Sequence, residues 1–364
     1  MSYLDRIRAT LERIRAADRY RTVDTGPRLA IDFSSNDYLG LAADPRVIGA
    51  LRQAGRAGSG GSRLLGGHHR EHALLEEELA AWLGRERALV FSSGYLSAAG
   101  AIGVLSTAAR VAYSDRLNHA SLIDALATSK IDRLVYPHKK LPAKDQRRGS
   151  ALIVTESIFS MDGDAVNLAA IVRDLTGDDV LLVDEAHALG VAGPRGAGLA
   201  AGILDERIVI LGTLSKSLGS QGGFVAGPAA LIELLINAAR SFIFDTALAP
   251  ALAAAARAAL KVTIEGDALR ASLHANVARL QSGLRERGYE AGDHRSAIVP
   301  VVLGEERAAL DAAQHLRAAG ITAPAIRPPT VPAGTSRLRF SVRANHTPAD
   351  IDALLEAMAC IAIS

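Results

Sequence analysis

At 364 residues the chain is longer than one hydrophobic core usually fills, so two domains are expected. Apolar residues make up 49% and charged ones 22%, an ordinary globular balance, and the 41 basic and 39 acidic residues nearly cancel to +2, which gives no case for nucleic acid as the main partner. The single cysteine, Cys360, excludes an internal disulfide or a structural zinc site and fits a reducing, cytoplasmic setting.

The opening residues, Met1-Ser2-Tyr3-Leu4-Asp5-Arg6-Ile7-Arg8, lack the apolar stretch of a signal peptide, and Asp5, Glu12 and Asp18 argue against a transit peptide. Leu4, Ile7, Leu11 and Ile14 recur at helical spacing and predict an amphipathic helix. A short strand follows at 30–33, then a loop with turn chemistry, Ser34-Ser35-Asn36-Asp37-Tyr38-Leu39-Gly40. Residues 1–44 are grouped as an N-terminal helix and arm. From 45 to 245 helical and extended patterns alternate. Strands at 88–91, 110–113, 151–155, 180–183 and 208–211 are short apolar runs without polar alternation, as in a mostly parallel sheet covered by helices. This stretch therefore reads as a large α/β domain. The most apolar long run, 246–256, contains Pro250 and stops at Arg257; it is too short to cross a bilayer, so no membrane partner is expected. A linking helix is expected at about 248–264. Strands at 298–303, 321–323 and 337–342, with helices near 305–319 and 348–361, predict a smaller α+β domain over 246–364. Thr347-Pro348 supplies the cap and first turn of its last helix.

The chemistry concentrates at strand ends. Lys216 sits in Gly212-Thr213-Leu214-Ser215-Lys216-Ser217, a polar turn after the apolar run 208–211. Upstream, Val183-Asp184-Glu185-Ala186-His187 closes another run. An aspartate, a histidine three residues on and a lysine about thirty residues later suit pyridoxal 5′-phosphate (PLP), which needs a lysine for its Schiff base and an acid for its ring nitrogen. At ~4 Å and an effective dielectric of ~20, such an acid and ring cation attract by about 4 kcal/mol. That is roughly three pK units, enough to keep the ring protonated at neutral pH. Phe91-Ser92-Ser93-Gly94-Tyr95 offers a strand, a turn and a helix start, where amides and hydroxyls can meet a phosphate; Thr213 and Ser215 are further hydroxyls. His119, in the loop after the 110–113 strand, could stack on a flat ring. Each has a plainer explanation: a simple strand-to-helix turn, an aspartate capping the next helix, an inert loop histidine.

Other patterns compete. Asp184-Glu185-Ala186-His187 matches a helicase-type NTPase signature, but no upstream P-loop accompanies it, and Ser215 occupies a glycine position in the nearest candidate. His68-His69-Arg70-Glu71-His72 matches a zinc peptidase pattern, with His68 and His72 expected on one helix face and Glu76, Glu77 or Glu78 as a further ligand. The Gly-rich loop before it explains those residues as well, and no metal is assigned. Gly58-Ser59-Gly60-Gly61-Ser62 lacks the glycine order and preceding strand of a dinucleotide site.

Taken together, Ser34 to Gly40, Gly58-Ser59-Gly60-Gly61-Ser62-Arg63, Asp184 to His187 and Thr213-Leu214-Ser215-Lys216 resemble the α-oxoamine synthases, PLP-dependent transferases of fold type I. The resemblance runs from about Arg21 to the C-terminus, and Phe159-Ser160-Met161-Asp162-Gly163-Asp164 shares it. It implies a Schiff-base lysine at Lys216, Asp184 on the pyridine nitrogen, and His187 with Ser160 at the ring's phenolic oxygen. By the same resemblance His119 would stack on the ring and assist catalysis, and the amides of Gly94 and Tyr95 would meet the phosphate with Thr213. Thr246 resembles a position that reaches the phosphate from a neighbouring subunit, which implies a homodimer with shared active sites. Arg327 is implied for the amino-acid carboxylate, with Arg21, Asn36 and Thr330 on the substrate side. Residues 325–339 are most similar to members that condense L-alanine with a pimeloyl thioester, on acyl carrier protein or coenzyme A, in biotin biosynthesis; sibling reactions use glycine or serine with acetyl, succinyl or palmitoyl thioesters. The sequence departs at Ser215 and Ser217, where some relatives carry glycine beside the lysine.

Overall fold

The computed structural model describes residues 1–23, 29–292 and 294–361. They form two compact units, Asn36–Ser160 with Asp164–Leu273, and Met1–Ser35 with Met161–Gly163 and His274–Ser364.

The larger unit is built on a seven-stranded sheet. Its strands are β1 (Arg87–Phe91), β2 (Val111–Asp115), β3 (Asp132–Tyr136), β4 (Ala151–Glu156), β5 (Val180–Asp184), β6 (Ile208–Thr213) and β7 (Gly223–Gly227). Their order is β1-β7-β6-β5-β4-β2-β3. The pairs among β2 to β6 are parallel, and β7 runs antiparallel to both neighbours. The five expected strands are present, and the sheet adds β3 and β7. Alternate residues such as Leu152 and Val154 of β4 and Val209 and Leu211 of β6 point to one face, where Ala98, Ile102, Leu122 and Leu126 of the helices Gly94–Leu105 and Ala120–Ser129 cover them. Each fully buried aliphatic chain there stabilises the fold by roughly 1.5–3 kcal/mol. The helices Arg70–Leu83 and Pro250–Ile264 belong to the same unit.

The smaller unit has an antiparallel sheet in the order Ala325–Ile326, Ser336–Ser341, Ile298–Gly304. A short parallel pair, Ile31–Asp32 with Ile321–Thr322, accompanies it. Phe33 and Phe340 meet edge to face at 6.0 Å. The helix Pro348–Met358 starts as expected, with Thr347 Oγ1 accepting the Asp350 N–H and the Asp350 carboxylate accepting the Thr347 N–H. The helix Tyr3–Ala16 forms where the periodicity predicts it, but none of its residues is buried.

The peptidase-like histidines do not share a helix face. The helix begins at Arg70, after His69 as its cap, so His68 lies outside it. Both ring nitrogens of His72 are already engaged, by the His69 N–H at 3.1 Å and the Leu248 carbonyl at 2.7 Å.

Candidate active site

Parallel strands end together, so residues at their carboxyl ends converge on one edge of the sheet. Asp184 closes β5, Glu156 closes β4 directly opposite it, and Thr213 closes β6. Three residues beyond Thr213 the chain folds back through bonds from Leu214 N–H to Gly222 O (2.9 Å) and Gly219 N–H to Lys216 O (2.8 Å), which present Lys216 at the turn. His119 caps the helix after β2 and uses its Nδ1 to accept the Ser121 N–H at 3.2 Å. The helix after β1 starts at Gly94, and its cap Ser93 accepts the Leu96 N–H at 3.2 Å. Gly223 of β7 allows that helix end to approach: a Cβ at this position would lie 2.4 Å from the Gly94 Cα.

These pieces enclose a cavity of about 280 Å³. Lys216 and Asp184 line it together, with His119 and His187. Gly94, Tyr95 and Thr213 line it too, beside Ser93 and Ser215. Lys216 Nζ lies 2.7 Å from His187 Nε2, and His187 Nδ1 lies 2.7 Å from the hydroxyl of the buried Tyr38, which also donates to Asn36 Oδ1 at 3.1 Å. Asp184 Oδ1 accepts the Ala186 N–H at 2.9 Å. The next residue, Glu185, is wholly buried and accepts from Ser157 Oγ at 2.6 Å and from the amides of Leu199 and Ala200, clamping the chain just past Asp184. Burial pushes its carboxyl up to about 7 despite those donors. His119 presents an accessible face to the cavity, yet loss of water around its imidazole, first of all, holds it below the usual range, the Asp184 carboxylate opposing that shift and Lys216 adding to it. The ring is therefore neutral at pH 7.

Of the other expected site residues, Ser160 is buried beside this cavity, donating its N–H to Glu156 Oε2 at 3.2 Å. Thr246 is exposed on the single chain and pairs with Ser62 in an isolated bridge. Arg21, Arg327 and Thr330 lie in the smaller unit, where Arg21 Nη2 donates to Pro328 O at 3.3 Å, Arg327 donates to the backbone carbonyl of Asp18, and Thr330 N–H donates to Arg327 O at 3.1 Å. Sequence reasoning missed Glu156 and the role of Tyr38. A glutamate ending an apolar strand is the same signal that exposed Asp184.

The donor set fits PLP. An amine and a carboxylate face one cavity, and a helix amino terminus with adjoining hydroxyls supplies a phosphate seat. The fold and this site together define a PLP-dependent transferase of fold type I. The aminotransferase class I and II family matches residues 29–358. The chain is 47% identical over 352 residues to an 8-amino-7-oxononanoate synthase of Anaeromyxobacter dehalogenans, covering 93% of this chain and 88% of the relative. It is 45% identical over 359 residues to one from Burkholderia mallei, covering 94% and 90%. Among solved structures, a serine palmitoyltransferase from S. paucimobilis with PLP bound aligns with a TM-score of 0.91 at 30% identity over 99% of this chain and 98% of that one. An 8-amino-7-oxononanoate synthase from Francisella tularensis aligns with 0.78 at 28% identity over 90% and 96%. The chain belongs to the 8-amino-7-oxononanoate synthase family, PLP-dependent acyltransferases among the α-oxoamine synthases.

Proposed function

We propose that the chain joins L-alanine to a pimeloyl thioester, carried on acyl carrier protein or coenzyme A, giving 8-amino-7-oxononanoate, CO₂ and the free carrier thiol. The observation that carries this reading is the 47% identity over 352 residues to a relative of that name. PLP supplies an aldehyde for the amine and a cationic ring that absorbs negative charge from the alanine α-carbon.

The chain's own residues do the rest. Lys216 holds the cofactor and then, as a free amine, takes the alanine α-proton; a general base at this step needs its pKa lowered by the site. Asp184 holds the proton on the ring nitrogen. His187 and Ser160 hold the phenolic oxygen side. The Gly94 and Tyr95 amides and the Thr213 hydroxyl bind the phosphate, with Thr246 entering from a second copy of the chain. His119, neutral and accessible from the cavity, stacks on the ring and donates to the thioester carbonyl oxygen as the new carbon–carbon bond forms. Arg327 pairs with the alanine carboxylate, and Arg21, Asn36 and Thr330 line the substrate side. The thiolate leaves and takes a proton from solvent, the carboxylate leaves as CO₂, and the carbon it leaves takes up the proton held by Lys216.

The structural likeness to a serine palmitoyltransferase supports a second reading, condensation of serine with a longer acyl thioester. A CO₂-release assay separates the two by crossing alanine, serine and glycine with pimeloyl, palmitoyl, acetyl and succinyl thioesters. Alanine with pimeloyl thioester is expected to turn over fastest; preference for serine with palmitoyl thioester sinks the first reading. Lys216→Ala should abolish the visible absorbance of bound PLP and cut turnover by several orders of magnitude.

A further inference from the structure

Two carboxyl groups face the cofactor cavity where one is needed. Glu156 and Asp184 end adjacent parallel strands at paired positions and line the same cavity. Paired residues on such strands sit about 4.8 Å apart, so two ionised carboxylates there would repel strongly. Their surroundings differ. Asp184 is only partly buried and accepts the Ala186 N–H. Glu156 is 2% exposed; its Oε2 accepts the Ser160 N–H at 3.2 Å, and its Oε1 has no hydrogen-bond partner. An ionised carboxylate offers about four acceptor sites, so this arrangement would leave a buried charge poorly solvated. Desolvation therefore falls on Glu156 rather than Asp184.

We propose that Glu156 is a positioning residue of the cofactor site that keeps its proton, donating a hydrogen bond into the cavity and leaving Asp184 as the single negative charge opposite the ring nitrogen. Burial first, and the Asp184 charge second, raise the Glu156 carboxyl well above its ordinary range, while Lys216 and the amides of His119 and Ser160 oppose that only in part. Among the described residues that line this cavity, His119 is shifted toward its neutral form and the Lys216 amine is committed to the cofactor, so neither balances a second carboxylate. The inference rests on the assignment of Lys216 and Asp184 to PLP.

The test uses the full-length PLP-loaded protein near pH 7.5. The infrared difference spectrum of wild type minus Glu156→Gln is expected to contain the carbonyl stretch of a protonated carboxylic acid; carboxylate bands alone overturn the proposal. A merely structural glutamate would not carry that signature. Glutamine keeps the shape, an acceptor and a donor, so Glu156→Gln should bind PLP within about threefold of wild type. The ¹⁵N signal of the bound ring nitrogen should not move. Asp184→Asn, by contrast, should weaken PLP binding roughly a hundredfold or more and shift that signal toward the neutral ring. A loss in Glu156→Gln as large as that in Asp184→Asn also overturns the proposal. These readouts need neither alanine nor thioester. Wild type that binds PLP with an ionised Glu156 defeats this inference alone, whereas wild type that binds no PLP at Lys216 defeats the proposed function and this inference with it.

Discussion

Lys216 is in contact with His187, and His187 with Tyr38, in two successive 2.7 Å contacts that end at Asn36. The direction in which the lysine amine points is thus set partly by a phenol that does not line the cavity. Tyr38→Phe keeps the buried ring but leaves a His187 nitrogen and the Asn36 carbonyl without that hydroxyl. A lost buried hydrogen bond costs about 1–3 kcal/mol. The variant should fold, be less stable by that order, and trap PLP on Lys216 roughly three- to tenfold more slowly. Stopped-flow absorbance and borohydride trapping read the rate. Capture at the wild-type rate would mean that Tyr38 contributes packing only. The motif carrying Tyr38 was readable in sequence, but its link to His187, 149 positions away, was not.

At the scale of elements, the strand ends are tied by a charged knot. His138, just after β3, places Nδ1 3.0 Å from Asp115 at the end of β2 and Nε2 2.9 Å from Asp164. Burial disfavours the charged imidazole, but hydrogen bonds to Asp115 and Asp164 outweigh it and push His138 up to about 9. Because the folded value is raised, the stabilisation is fully present below pH 6.5, the unfolded value, and is lost as pH rises through 9. Urea unfolding at saturating PLP should therefore show stability falling across that window by on the order of 2 kcal/mol, after allowing for solvent screening. In His138→Asn that fall should be absent; an unchanged slope in the variant would move the effect elsewhere. Elements differed in how legible they were. β4, β5 and β6 are buried along most of their length, so they read as apolar runs whose ends mark the chemistry. β3 is an edge strand, and its Asp132-Arg133-Leu134-Val135-Tyr136 is exposed at its first four residues, so no apolar run announces it. β7, Gly223-Phe224-Val225-Ala226-Gly227, is buried throughout but bounded by glycines that imitate a turn. Glu156, at the end of the apolar run 151–155, carries the same sequence signal as Asp184, but its burial and unpartnered oxygen, which set its role apart, are properties of the fold.

For the whole molecule, the position of Thr246 bears on how many chains complete one site. Among the described residues no helix is long and apolar enough to cross a membrane. Thr246, the residue implied to reach a neighbour's phosphate, is exposed on the single chain and does not line its own cavity. A homodimer with shared sites makes a prediction about pairing that a self-contained chain reverses. Thr246→Glu sets a carboxylate against the phosphate it would serve, and Lys216→Ala removes the lysine proposed to hold the cofactor. Consider heterodimers isolated with two different affinity tags. If the partner supplies Thr246, placing one substitution on each chain puts both lesions in the same site and leaves the other intact, so about half of wild-type turnover should remain. Placing both substitutions on one chain damages both sites, and little turnover should remain. Self-contained sites give the opposite result, with the doubly substituted heterodimer keeping half the activity and the split one almost none. The CO₂-release rates of the two heterodimers, compared at equal PLP, decide between the arrangements.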